Sequence, residues 1–211
     1  MSHMLKIKLL LIVLLGFAAI SFAAGGGKIV AADPTKHFDP KGKMPSEFTI
    51  ELQNGLRKSL PFEDKRDFEE AKKGFIAAPS YKQIMAEAGH VAWDMGSYEF
   101  LLTDKEYDTI HPSLQRQAVL NMAYGLYEVM PDKIYQIRGY DLANITFIKG
   151  EKGWIIFDPL TAKETAAAAL KFINEQLGER PVTAVFYSHS HADHFGGVRG
   201  VVDEADVRSH M

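Results

Sequence analysis

The 211-residue chain is 46% hydrophobic and 24% charged, the composition of an ordinary globular protein of one or two small domains rather than of a disordered one. Its net charge of -3, with acidic and basic residues interspersed, offers no basic stripe, so nucleic acid is not expected as a partner. Without cysteine it can form neither a disulfide nor a thiolate metal site, and any metal must be held by nitrogen and oxygen.

In chain order, Lys6 and Lys8 precede an apolar run over residues 9–19, and small residues return at Ser21 and Ala23. These are the three parts of a secretory signal peptide, assigned to residues 1–23. A run of about a dozen apolar residues is too short to cross about 30 Å of hydrocarbon. No stable membrane span is therefore expected, and the mature chain is expected to be periplasmic or secreted. Ser2-His3-Met4 recurs as Ser209-His210-Met211, and His3 and His210 are left out of the chemistry.

Residues 28–61 are rich in Pro, Gly, Lys and Asp with little periodicity and read as an extended arm. From residue 63 to 130 the pattern reads as helical: Leu114, Ala118, Met122, Leu126 and Val129 recur every three or four residues, entered at Pro112 and ended by Pro131. Residues 24–133 are accordingly assigned to the arm and a helical N-terminal region.

At Ile134 the texture changes, and residues 134–211 are assigned to a second region. Residues 134–137, 145–148 and 154–157 predict three strands, the last entered through the turn Gly150-Glu151-Lys152-Gly153. Thr161 is expected to cap the next helix, with Glu164 reaching back in a capping box. That helix should bury Ala166, Ala169, Leu170, Ile173 and Leu177, end at a left-handed Gly178, and be followed after Pro181 by a strand over residues 182–186. Strand, helix, strand predicts parallel pairing and an α/β class.

The chemistry sits directly after that strand, in His189-Ser190-His191-Ala192-Asp193-His194. Ligand sites of open α/β sheets form where strand C-termini feed into loops. His189 and His191 can converge on one cation only if the loop bends, and Asp193 and His194 supply an oxygen and a nitrogen that can turn toward a second. Such donors suit zinc, although iron and manganese also accept them. Asp193 is the candidate catalytic carboxylate as well as a candidate ligand. Gly196 and Gly197 permit the close backbone approach that a tight loop needs.

Asp158 either orients a ligand histidine or begins the turn at Pro159. His37, His90 and His111 lack partners at ligand spacing and read as surface or packing residues. Trp93, Tyr98, Phe100 and Leu101 form an apolar stretch read as core rather than as a surface for an alkyl group.

The segment Tyr187-Ser188-His189-Ser190-His191-Ala192-Asp193-His194-Phe195-Gly196-Gly197-Val198 resembles the first metal motif of the metallo-β-lactamase superfamily. Tyr135-Gln136-Ile137-Arg138-Gly139, Leu142-Ala143-Asn144-Ile145-Thr146-Phe147-Ile148 and Gly153-Trp154-Ile155-Ile156-Phe157-Asp158-Pro159-Leu160 narrow the resemblance to the linear alkyl sulfatases, zinc-dependent hydrolases of dodecyl sulfate and related surfactants. The resemblance runs from about Pro45 onward. It implies an αββα sandwich, incomplete in this N-terminal portion and preceded by a helical region, and two zinc ions per active site. His189 and His191 would bind the first zinc, and Asp193 and His194 the second. The family's other ligands, two glutamates and a histidine, and its later domains lie beyond Met211.

The resemblance further implies an alkyl sulfate substrate, hydrolysed to an alcohol and inorganic sulfate, and a homodimer for the full-length family. With half of the ligands, this portion is expected to be inactive alone. Two other readings stand beside it. One is a hydrolase of the same superfamily acting on lactams, thioesters or phosphodiesters. The other is a secreted, non-catalytic protein that binds metal or surfactant, or that pairs with a separate chain.

Overall fold

Ser46 opens the first helix of the computed structural model, which describes residues 44–209; the signal peptide expected over residues 1–23, most of the expected arm, His3, His37 and His210 lie outside the described residues. The Ser46 hydroxyl accepts the Thr49 N–H, Glu47 occupies the first turn, and Arg57 and Lys58 close the helix α1 (Glu47–Ser59). This corrects the reading of residues 28–61 as arm throughout. The signals were local: a serine cap, an acid behind it, a basic last turn and Pro61 two residues beyond the helix.

After α2 (Arg66–Glu70) come three short strands, β1 (Phe75–Ala77), β2 (Gln83–Met85) and β3 (Val91–Asp94), then a 3-10 turn over Glu99–Leu102 and α3 (Pro112–Leu120). The predicted long helix therefore stops at Leu120, and β4 (Gly125–Met130) occupies the rest of it. Gly125, at φ 134°, leaves helical backbone, and a Cβ there would lie 2.5 Å from the Ala77 carbonyl of β1. Leu126 and Tyr127 are buried as strand residues, and Pro131-Asp132 forms a hairpin turn with Asp132 at φ 55°. The three- and four-residue spacing was real, but long-range pairing overrode it.

The remaining elements are β5 (Ile134–Arg138), β6 (Ile145–Lys149), β7 (Trp154–Phe157), α4 (Lys163–Leu177), β8 (Val182–Phe186) and α5 (Glu204–Ser209). Strands β7 and β8 have the predicted limits; β5 and β6 each run one residue further. They join β1 and β4 in a six-stranded sheet of order β1-β4-β5-β6-β7-β8, while β2 and β3 form a separate two-stranded sheet. All pairs in the larger sheet are antiparallel except β7 with β8, the pair joined by α4. The sheet draws strands from both sides of residue 134.

Register places the core on one face. Leu126 pairs with Ile137, Ile137 with Ile145, Tyr135 with Phe147, Phe147 with Ile156, and Ile156 with Val185. These side chains, with Trp154, form one apolar cluster with Ala166, Ala169, Phe172 and Ile173 of α4. Trp154 is fully buried, set edge-on to Tyr135 and Phe147, and its Nε1–H donates to Asn174 Oδ1 of α4 at 2.8 Å. Burial of each such large side chain stabilises the fold by about 1.5–3 kcal/mol.

Three details of α4 differ from expectation. Phe172 and Thr165 are buried, whereas Leu170 is half-buried and Leu177 exposed. Gly178 has the expected positive φ (93°) but ψ 145°, so it ends the helix outside the left-handed helical region. Neither Thr161 nor Glu164 forms a capping box: the cap position is Ala162, without a side-chain bond. Buried Asp141, from the loop after β5, serves instead, accepting from the Thr161 and Ala162 N–H groups and the Thr161 and Thr165 hydroxyls.

Candidate metal centre

Parallel β7 and β8 end side by side, with Phe157 registered against Phe186, so the residues that follow both strands meet. The Asp158 N–H donates to the Phe186 carbonyl at 3.0 Å, and Asp158 stands at φ 57°, turning its side chain toward the segment after β8. Its Oδ1 accepts the Ser188 N–H at 2.7 Å, and its Oδ2 accepts the Ser188 hydroxyl at 2.7 Å. The same Oδ2 lies 2.9 Å from His194 Nδ1. Asp158 thus both begins the turn and orients a candidate ligand histidine. Burial raises the Asp158 pKa, but the Ser188 N–H, the Ser188 hydroxyl and His194 together hold it below the ordinary carboxylate value.

The loop is folded back by a 3-10 turn over Ala192–His194 and docked by a bond from the Gly197 N–H to the Leu160 carbonyl. A Cβ on Gly197 would stand 2.2 Å from the Pro159 carbonyl, and one on Gly196 2.4 Å from the Thr161 carbonyl. Backbone approach this close excludes any side chain.

The structure brings the four sequence-predicted residues together as two pairs. His189 Nε2 faces His191 Nδ1 at 3.1 Å, and His194 Nε2 faces Asp193 Oδ2 at 3.3 Å. The His189 and His194 ring centroids are 4.0 Å apart. Among the described residues, no group of three or more His, Asp or Glu side chains is arranged to hold a metal ion.

The pairs nevertheless have the right chemistry for cations. Neighbouring ligands of a tetrahedral zinc, bonded at about 2.0–2.1 Å, stand about 3.3 Å apart. His194 lies between two carboxylates that can only accept, Asp158 at Nδ1 and Asp193 at Nε2, and a neutral imidazole has one proton for the two. With Nδ1 donating to Asp158, Nε2 and the Asp193 oxygen are both free to bind a cation. Imidazole nitrogens and a carboxylate oxygen are donors of the kind a metal ion accepts.

Other candidates fall elsewhere. His111 caps α3, its Nδ1 accepting the Ser113 N–H at 3.2 Å, and His90 is exposed. Leu101 is buried and Trp93 half-buried, its Nε1–H donating to the Gly139 carbonyl, but Tyr98 and Phe100 are exposed, against their reading as core. A cavity of about 870 Å³, lined by Trp93, Tyr98, Leu101, Tyr124, Arg138 and Asp141 among others, includes none of the histidine loop. Sequence reasoning gave Ser188 no role, although it precedes His189 directly.

Residues 138–211 match the metallo-beta-lactamase superfamily, and the fold is of that type. Within the class the chain's homologues are alkylsulfatases. It is 50% identical over 167 residues to an (R)-specific secondary-alkylsulfatase of Pseudomonas sp, 48% over 168 to a linear primary-alkylsulfatase of Pseudomonas sp, and 45% over 166 to an alkyl/aryl-sulfatase of Saccharomyces cerevisiae. Each alignment covers 79% of this chain and 25% of the relative, so the chain spans about a quarter of the relatives' length. The solved structure of the inverting sec-alkylsulfatase Pisa1 from Pseudomonas sp. superposes with a TM-score of 0.74 at 50% identity, covering 80% of this chain and 26% of that one.

Proposed function

We propose that this chain supplies part of the active site of a zinc-dependent alkyl sulfatase that hydrolyses alkyl sulfate esters, such as dodecyl sulfate, to alcohol and inorganic sulfate. The observation that carries the reading is the pairing of the donors, His189 with His191 and Asp193 with His194, in a chain 45–50% identical to three alkylsulfatases. His189 and His191 would hold one zinc, and Asp193 and His194 the other. Bound zinc would offset the negative charge of the sulfate ester and lower the pKa of a coordinated water.

The protein's own contribution is preorganisation. Asp158 fixes the ring of His194, the 3-10 turn sets Asp193 beside it, and docking of Gly197 on Leu160 holds the loop against α4. Two donors for each zinc fall short of the three or four protein ligands usual in zinc sites, so weak binding and no turnover are the expectation for this chain alone. Export from the cytoplasm is part of the proposal, resting on Lys6, Lys8 and the apolar run that follows them. Among the described residues no helix is long and apolar enough to cross a membrane.

The test is zinc content by elemental analysis after chelation and reloading, with dodecyl sulfate hydrolysis measured on the same sample. Weak zinc binding that His189→Ala and Asp193→Ala each reduce, without sulfate release, is the expected result. No zinc at any concentration tried would overturn the metal assignment, and sulfate release would overturn the expectation of inactivity.

A further inference from the structure

Ser188 is exposed and ligates nothing in the reading above, yet its hydroxyl oxygen lies between two groups, 2.7 Å from Asp158 Oδ2 and 2.9 Å from His189 Nδ1. The direction of both hydrogen bonds follows from chemistry. A carboxylate can only accept, so the single Ser188 hydroxyl proton goes to Asp158. The Ser188 oxygen then has only lone pairs to offer His189, whose Nδ1 must carry the proton. His189 Nε2 is left with a free lone pair, and Nε2 is the atom that faces His191 Nδ1 at 3.1 Å.

We propose that Ser188 is a positioning residue: it relays the Asp158 carboxylate to His189, selecting the tautomer that keeps Nε2 available to a metal ion. One carboxylate then sets both outer histidines, His194 directly and His189 through the serine hydroxyl. Across the donor pairs, one histidine of each is thereby oriented from outside the pair. The metal half of this proposal rests on the function proposed above, but the tautomer does not.

Two measurements on the full chain separate the parts. In the metal-free protein, long-range proton–nitrogen NMR of ¹⁵N-histidine-labelled chain should show His189 protonated at Nδ1; Ser188→Ala should shift it toward the Nε2–H form, and Ser188→Thr, which keeps the hydroxyl, should restore it. Zinc titration of the same three proteins should give a loss of at least about tenfold in affinity for Ser188→Ala, with Ser188→Thr close to the starting protein. A His189 protonated at Nε2 in the unsubstituted chain, or a tautomer indifferent to Ser188→Ala, overturns the relay. A tautomer that switches while zinc affinity does not change overturns the positioning role. If the unsubstituted chain binds no zinc but shows the switch, the relay stands and the metal reading falls.

Discussion

The Thr165 hydroxyl donates to the Asp141 carboxylate at 2.5 Å, tying the first turn of α4 to the loop between β5 and β6. Asp141 also takes the Thr161 hydroxyl at 2.6 Å and the Thr161 N–H at 3.1 Å, so a single buried acid satisfies the N-terminus of the helix that covers the sheet. Asp141→Ala would take the acceptor from the Thr161 hydroxyl and from the Thr161, Ala162 and Leu142 N–H groups, while the Thr165 hydroxyl keeps the Ala162 carbonyl in reach, and is expected to cost about 2–3 kcal/mol. Thr161→Ala removes one hydroxyl and should cost about 1 kcal/mol. Urea unfolding of the two variants measures both, and a loss below about 0.5 kcal/mol for Asp141→Ala would place it with ordinary surface changes and refute the capping role.

Gly197 and Gly178 make a paired test of backbone approach. At Gly197 a methyl group would meet the Pro159 carbonyl at 2.2 Å and the Ala162 carbonyl at 2.6 Å, so the histidine loop must shift away from α4 to accommodate it. Gly197→Ala is expected to cost about 1–3 kcal/mol and to disturb the resonances of His189, His191 and His194. Gly178 has nothing within 4 Å of such a methyl, and its backbone at φ 93° and ψ 145° alone opposes the change, so Gly178→Ala should cost about 1–3 kcal/mol and leave the loop resonances in place. Equal disturbance of the loop by both would mean that the close approach at Gly197 does not position it.

The parts legible in the sequence were those whose cause is local or periodic. Strands β7 and β8 are short apolar runs bounded by turns, and the chain between them carries a helical repeat, so their limits and parallel pairing followed directly. The histidine loop was legible because its donors lie within six residues. What failed was decided at a distance. Residues 125–130 have helix-compatible spacing, and only pairing with β5 and the close approach of β1 at Gly125 make them a strand. Thr161 with Glu164 looks like a capping box, but Asp141, twenty positions before Thr161, outcompetes it. The Ser188 bridge was invisible for the same reason, since its other anchor lies thirty residues away at Asp158.

Asp94 gives a pH dependence of defined sign. Its carboxylate accepts from Gln83 Nε2 across the β2–β3 hairpin at 2.8 Å and from the Gly96 N–H at 2.8 Å. The bond from Gln83, opposed by desolvation and assisted by the Gly96 N–H, lowers its pKa. A group whose folded pKa lies below its unfolded value stabilises the fold above the unfolded value, about 3.9, and loses that contribution as pH falls through the folded one. Hydrogen exchange of the Gly96 amide should therefore lose protection, relative to other hairpin amides, as pH falls below about 4. Asp94→Asn should remove that pH dependence, and an unchanged profile in the variant would show that another group controls the hairpin.

Phe147 and Phe186 lie on opposite faces of the sheet and should differ in how much their truncation costs. Phe147 is fully buried between Tyr135 and Ile156 in register and packs edge-on against Trp154, so Phe147→Ala opens a cavity under α4 and should cost about 3–5 kcal/mol. Phe186, on the outermost strand, is 51% exposed and stacks on Phe157 at 5.0 Å between ring centroids. Losing that stack should cost about 0.5–1.5 kcal/mol. Removing the exposed ring should also reduce self-association through a sheet face that carries half-buried Ile148, Ile155 and Phe157, over which no helix lies among the described residues. Thermal unfolding and light scattering of the two variants test this together. Phe186→Ala should scatter less than the unsubstituted chain at equal concentration and unfold only slightly earlier, and a loss of stability matching that of Phe147→Ala would mean that the open face is packed in solution.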